Sequence, residues 1–163
     1  MNRRDPATKL FTQADLIDRH GPTRTHVLAF TNGCFDVLHA GHIVCLFEAS
    51  KLGDQLVVAV NSNASMRMLD KGPDRPIVDE ADRVHVVAAL ESVDAVCLFE
   101  EETPLRLIEA LQPDVLVKGA DYRREDLPGA DVVEARGGRV VLIPLVEGQS
   151  TRDLVGRIKG ERP

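Results

Sequence analysis

Val27-Leu28-Ala29-Phe30-Thr31-Asn32-Gly33-Cys34-Phe35-Asp36-Val37-Leu38-His39-Ala40-Gly41-His42 is the stretch whose reading decides the fold. A short apolar run, residues 26–30, leads into a glycine turn, and residues 27–30 have the character of a buried strand. Residues 42–52 then carry apolar side chains at Ile43, Leu46, Phe47 and Ala49, the spacing of one helix face, with Gly53 read as the helix cap. Residues 55–60, QLVVAV, form a near-continuous apolar strand, as expected where helices cover both sheet faces.

The same alternation runs outward in both directions. Thr12 is placed to cap a helix over residues 13–20, ended by Gly21-Pro22. After residue 60, Asn61-Ser62-Asn63 turns into a short helix through Leu69, and residues 70–76, DKGPDRP, read as a loop. Asp79 caps a helix over residues 81–90, and Thr103-Pro104 opens another through Leu111. Further strands are expected at residues 94–99, 114–117 and 139–143, with a polar loop over 119–130 and one helical turn over 132–135. Ser150 or Thr151 caps a last helix to about residue 159. Strands alternating with helices predict an α/β chain: a single Rossmann-like, doubly wound domain with a five-stranded parallel sheet. Residues 1–10 read as a polar lead-in and residues 11–163 as the domain. In such sheets ligands bind beyond the carboxyl ends of the strands, and the polar segments 31–42, 118–123 and 144–152 are expected there.

Composition narrows the partners. Of 163 residues, 44% are apolar and 28% charged, which suits a folded domain with a substantial core. The net charge of −6 argues against a nucleic-acid partner, which calls for a basic face. Cys34, Cys45 and Cys97 form no CxxC pair and lie in apolar runs, so buried, reduced thiols and a cytoplasmic setting are expected. The N-terminal residues lack the apolar core of a signal peptide, and no stretch is long enough to span a bilayer, so no membrane partner is expected.

His39 and His42, three apart at a helix start, project to nearly one face. The helix start is expected to add backbone N–H donors and partial positive charge, and Gly41 to let a phosphate approach closely. Such a cup suits the charge that builds on an α-phosphate under attack, and makes nucleotidyl transfer the leading hypothesis. A pair of surface or capping histidines and a zinc site are the rival readings; for zinc a third ligand at helical spacing is absent, and the strand and glycine turn before the pair favour the phosphate cup. No GxxxxGK[ST], GxGxxG after the first strand, or GxSxG is present, and Cys34 has no evident base partner. His20, His26 and His85 read as surface or core residues.

The HAGH motif resembles the signature of the cytidylyltransferase-like nucleotidyltransferases. Within that family, TNGCFDVLHAGH together with Leu52-Gly53-Asp54, Val60-Asn61-Ser62, Asp74-Arg75-Pro76, Val117-Lys118-Gly119-Ala120-Asp121-Tyr122, Glu134-Ala135-Arg136-Gly137-Gly138 and Gly148-Gln149-Ser150-Thr151 is similar to the ADP-heptose synthases. The likeness spans roughly residues 10 to 159. It implies a stand-alone adenylyltransferase that joins ATP and D-glycero-D-manno-heptose 1-phosphate, releasing pyrophosphate, with a separate kinase and phosphatase supplying the acceptor.

By that resemblance, backbone N–H groups of Thr31, Asn32, Gly33, Cys34 and Phe35 line the nucleotide phosphates, and His39 and His42 stabilise the α-phosphate. Lys71, otherwise a solvated loop lysine, reaches the triphosphate or the sugar phosphate, and Arg75 is a candidate for the same task. Arg83 is either a phosphate ligand or a surface salt-bridge partner. Lys118 and Gly119 flank the adenine, Asp121 or Tyr122 meets base or ribose, and Ser150, Thr151 and Arg152 form a second anion-binding helix start. Mg²⁺ is expected mainly on phosphate oxygens, with Asp36 nearby, and a homodimer is expected. The chain departs from the family at three positions. Arg152 ends the usual Ser-Thr-Thr run. Leu145 replaces an arginine of the glycerol-phosphate cytidylyltransferases. Asn63 stands where aspartate is common, and is read as the loss of a cap charge. The alternatives are a related transferase with another acceptor, of the glycerol-phosphate cytidylyltransferase or FAD synthase type, and a non-catalytic nucleotide-binding module.

Overall fold

Alternate residues along the central strands serve two different cores. In strand β3 (Gln55–Asn61), Leu56, Val58 and Val60 face one helical layer, while Val57 and Ala59 face the other. That double burial explains why the run carries no polar alternation. The computed structural model of the chain describes residues 5–69, 72 and 74–160. Around β3, strands β1 (Leu10–Phe11), β2 (Leu28–Gly33), β4 (Ala95–Phe99), β5 (Val115–Gly119) and β6 (Arg139–Ile143) form one parallel sheet of six strands, ordered β1-β4-β3-β2-β5-β6.

Helices α1 (Gln13–His20), α5 (Leu105–Leu111) and α6 (Ala130–Glu134) cover one face through Leu16, Leu107, Ile108, Leu111, Ala130 and Val133. Helices α2 (Ala40–Ser50) and α4 (Glu80–Ala88) cover the other through Leu46, Ala49, Val84, Val87 and Ala88. A short α3 (Asn63–Met68) follows β3, and α7 (Thr151–Ile158) ends the described chain. The caps are those the sequence predicts. Thr12, Asp79 and Ser150 each accept a backbone N–H from the first turn of α1, α4 and α7.

The sheet corrects the expected five strands to six. Leu10–Phe11 pairs in parallel with Val96 and Cys97 and covers the outer edge of β4. A strand of two residues has no periodicity to read, and the polar residues before it hide it. Among the described residues of that lead-in, Pro6–Lys9 forms a 3₁₀ turn, and buried Lys9 donates its Nζ to Leu90 O at 2.9 Å. Gly53 is not the cap of α2, which ends at Ser50 with Lys51 as its C-cap. A Cβ at Gly53 would stand 2.8 Å from Val27 O and 2.9 Å from Ala29 N, so close packing against β2 requires the glycine. Among the described residues no helix is long and apolar enough to cross a membrane.

Candidate active site

The chain leaves β2 toward β3 on one side and returns as β5 on the other, so the crevice between β2 and β5 is the topological switch point. Register shows where it opens. Pairing of β2 with β5 ends at Thr31–Val117, whereas pairing with β3 continues to Gly33–Val60. Beyond Thr31 the two strands part, and Lys118 spans the gap, its Nζ 2.7 Å from Asn32 O. Thr31 itself is buried and laddered on both sides. Its backbone is committed to the sheet, which corrects its expected place on the phosphates. Asn32 lies at the opening, with a buried Oδ1 that finds no partner among the described residues.

The turn after β2 builds the histidine pair. Phe35 takes a left-handed backbone, φ 48°, unusual for a side chain of that size. Its ring lies over Gly33, where a Cβ would approach to 3.1 Å, and 5.3 Å from the His42 ring. The Phe35 ring therefore supports His42. His39 is the N-cap of α2: its Nδ1 accepts from Gly41 N at 3.1 Å, and His42 Nδ1 accepts from His39 N at 3.4 Å. The two rings stack with centroids 3.9 Å apart. Because each Nδ1 accepts, the proton of the neutral ring resides on Nε2, on the side away from the helix backbone. Burial lowers the His39 pKa below its ordinary value, which favours that neutral form. The expected open N–H groups of the helix start are thus partly used by the histidines themselves. What the turn offers a ligand is two oriented imidazole N–H donors.

Gly41 is small for a reason that sequence alone does not show. A Cβ there would stand 3.0 Å from the His39 ring and 3.3 Å from Gln149 Cβ. The segment before α7 therefore closes over the start of α2. Thr151 Oγ1 donates to Val37 O at 3.4 Å, and Ser150 caps α7 by accepting from Asp153 N at 3.0 Å. On the facing strand, a Cβ at Gly119 would meet Asp121 Oδ1 at 2.6 Å and Leu145 Cδ2 at 3.0 Å. Lys118 Nζ also lies 5.1 Å from the centroid of the half-exposed Tyr122 ring. Gln149 and Thr151 thus pack against the start of α2 that carries the histidines, while Lys118, Gly119, Asp121 and Tyr122 stand at the carboxyl end of β5, with Lys118 reaching Asn32 of β2. Arg152 is exposed.

Arg83, Asp36 and Arg75, expected about the substrate, are each tied to groups of the chain itself. Arg83 is 1% exposed and donates to Val78 O, Cys34 O, Asn61 O and Asn63 Oδ1 at 2.6–3.0 Å. It is neither a surface partner nor a ligand; it locks the turn after β2 to the end of β3. Asp36 is buried and accepts from Ile77 N, Val78 N and Arg75 Nη1. Burial alone would raise its pKa, but those donors outweigh it and hold the carboxyl below the usual range. The Arg75–Asp36 pair, 2.5 Å, clips the loop before α4 onto the turn after β2. Asn63 does more than remove a cap charge. Its Oδ1 accepts from Arg83 and its Nδ2 donates to Asp79 at 2.8 Å, an orientation an aspartate could not supply. Lys71 lies outside the described residues.

Cys34, Cys45 and Cys97 are thiols rather than disulfides; Cys97 is buried, while Cys34 and Cys45, expected to be buried, are only partly so. Burial pushes Cys97 up to about 12. Among the described residues no cluster of three His, Cys, Asp or Glu side chains could hold a metal. With Asp36 saturated by its own chain, the residues present do not fit a protein-built Mg²⁺ cage.

Residues 30–147 match the cytidylyltransferase-like family. The chain belongs to the cytidylyltransferase-like nucleotidyltransferases. It is 56% identical over 131 residues to the bifunctional protein HldE of Trichlorobacter lovleyi and 58% identical over 132 residues to that of Mesorhizobium japonicum. These alignments cover 80% and 81% of the chain but only 26% of each relative. A lipopolysaccharide core biosynthesis protein from Thermoplasma volcanium superposes with a TM-score of 0.61 at 29% identity, over 76% of this chain and 99% of that one. Pantothenate synthetase from Thermus thermophilus reaches a TM-score of 0.64 at 19% identity, over 89% of this chain and 66% of that one, a likeness of fold alone.

Proposed function

We propose that the protein is a heptose 1-phosphate adenylyltransferase, joining ATP and D-glycero-D-manno-heptose 1-phosphate to give ADP-heptose and pyrophosphate. The observation that carries the transfer chemistry is the histidine pair, whose Nδ1 atoms are held by the start of α2. Identity of 53–58% to HldE proteins and the likeness to a lipopolysaccharide core biosynthesis protein support the heptose acceptor.

In this reading a phosphate oxygen of the acceptor attacks the α-phosphorus in line. One P–O bond forms, the bond to the bridging oxygen breaks, and pyrophosphate leaves with the electron pair. The acceptor phosphate is already anionic near neutrality, so no strong general base is required. The Nε2–H groups of His39 and His42 donate to the non-bridging α-phosphate oxygens as their charge grows, each contributing about 3 kcal/mol. Lys118, between β2 and β5, and Lys71 add positive charge, while Gly119 admits the base against β5. Mg²⁺ arrives with the triphosphate as part of the nucleotide substrate. A homodimer belongs to the same proposal and is checked by the mass of the eluting species.

Pyrophosphate release from ATP, CTP, GTP and UTP against heptose 1-phosphate, glycerol 3-phosphate and flavin mononucleotide tests the assignment. Turnover is expected with ATP and heptose 1-phosphate. Preference for CTP with glycerol 3-phosphate, or for flavin mononucleotide, would replace the acceptor. ATP binding without pyrophosphate release from any pair would leave a nucleotide-binding module.

A further inference from the structure

Among the described residues, left-handed backbone outside glycine occurs at Phe35 and at Gln112, the C-cap of α5. A helix end explains Gln112. Nothing of the kind explains Phe35, and a side chain of its size takes that conformation at a cost in free energy. Such a residue persists only where its surroundings hold it. Here both neighbours are held. Arg83 Nη1 donates to Cys34 O at 2.6 Å, on the peptide that enters Phe35. On the other side the Asp36 carboxylate accepts from Ile77 N and Val78 N at 2.8 and 2.9 Å, and from Arg75. The turn is gripped immediately before and immediately after its strained residue.

The strained turn fixes the place of one ring. Phe35 is 8% exposed and belongs to the core beneath α2, with Leu46 and Ala49. Its ring lies over Gly33, and its plane is tilted 54° to that of His42 at 5.3 Å between centroids. His42 lies 3.9 Å from the His39 ring in turn. The three rings form a column from the core to the start of α2. The hydrogen bond from His39 N to His42 Nδ1 is 3.4 Å long. A bond of that length constrains a ring weakly, and packing against Phe35 adds to it.

We propose that Phe35 is a positioning residue of the transfer reaction: its left-handed backbone and buried ring hold His42, and His39 through it, with Nε2–H turned toward the reacting phosphate. The inference rests on the transferase reading for its effect on rate, and stands apart from it for its effect on the rings. In this role the phenyl group acts through the imidazoles rather than on the substrate. A displacement of about 1 Å in a group aimed at a transition state can cost about 10²-fold in rate, so a modest loosening of the column is enough to be read.

Nitrogen NMR of the full chain, with isotopically labelled histidine and at about pH 8, reads the tautomers while the imidazoles are neutral. In the wild type His39 and His42 are each expected as a single Nε2–H tautomer, with a nuclear Overhauser contact between the Phe35 and His42 rings. Phe35→Leu keeps an apolar side chain and loses the ring. It should let the His42 tautomers mix and lower kcat with ATP at least about tenfold, while KM for ATP stays within about twofold. Urea unfolding checks that the variant is folded; where it is not, Phe35→Met takes its place, and the wild-type spectrum is a test in its own right. A wild-type His42 protonated on Nδ1, or averaged between tautomers, would overturn the proposal. So would an unchanged kcat in the folded variant, or a KM for ATP that rises at unchanged kcat. Should the wild type release no pyrophosphate from any pair, the transfer reading fails and the tautomers decide alone: mixing in the variant upholds the hold of Phe35 on the rings, and its absence ends it.

Discussion

The two nitrogens of His39 separate a structural task from the proposed one. Nδ1 caps α2 through Gly41 N, and in the proposed reaction Nε2–H is the donor to the α-phosphate. His39→Asn keeps an acceptor at the cap and removes the distant donor, whereas His39→Ala removes both. Both variants, and His42→Ala, should lower kcat by on the order of 10²-fold. Only the alanine at position 39 should also lose about 1 kcal/mol of stability, read by urea unfolding. Full activity in His39→Asn would remove Nε2 from the chemistry. Acid tests the same atoms. Burial lowers the His39 pKa below 6.5, so the ring stays neutral to lower pH than an exposed histidine would. Protonating Nδ1 abolishes its acceptor lone pair and opens the cap. The rate should therefore hold through pH 6.5, the ordinary histidine value, and decline only as pH falls through the lowered one, measured as kcat against pH with saturating substrates.

At the scale of elements, the turn between β2 and α2 is held from behind by α4. Arg83 carries that link, meeting Cys34 O, Asn61 O and Val78 O at once. Arg83→Met retains the bulk but leaves three buried carbonyls without donors, so it should cost about 3–5 kcal/mol in chemical unfolding. A ligand role would instead raise KM and leave stability unchanged. The sequence could not make this distinction, because an arginine early in a helix looks alike whether it faces a phosphate or the chain's own carbonyls. The same holds for Asp36, which reads as a site acid yet serves as the anchor of residues 75–78. What was legible depended on local signals. Caps at Thr12, Asp79 and Ser150, apolar strands and the HAGH spacing are all encoded within a few neighbouring residues. What was not legible depended on distant partners: the two-residue edge strand, the reach of Lys118 to Asn32, and the closure of Gln149 over Gly41.

Across the whole molecule, ionisable groups at both poles tie stability to pH with the same sign. His20 is buried beside His26, and burial, then the neighbouring charge, lowers its pKa below 6.5, as burial does for His39. Between the lowered value and 6.5 the unfolded chain binds more protons than the folded one, so stability falls as the solution is acidified through that window. Asp36 at the crevice pole and Asp114 at the other follow at lower pH. Burial would raise both, but backbone N–H donors and the guanidinium of Arg75 or Arg24 prevail and hold them below 3.8. Their contribution is complete above 3.8 and is lost as pH falls through the folded values. The urea midpoint should therefore descend in two stages, one beginning near pH 6.5 and one below pH 3.8. Substitution separates them. His20→Gln should flatten the upper stage and spare the lower. Asp36→Asn and Asp114→Asn should each lower the midpoint at neutral pH while making the lower stage shallower, because an amide cannot be neutralised by acid. A single stage near pH 4 that none of these variants changes would place the acid sensitivity in the general charge of the surface rather than in the two clips that anchor the ends of the central strands.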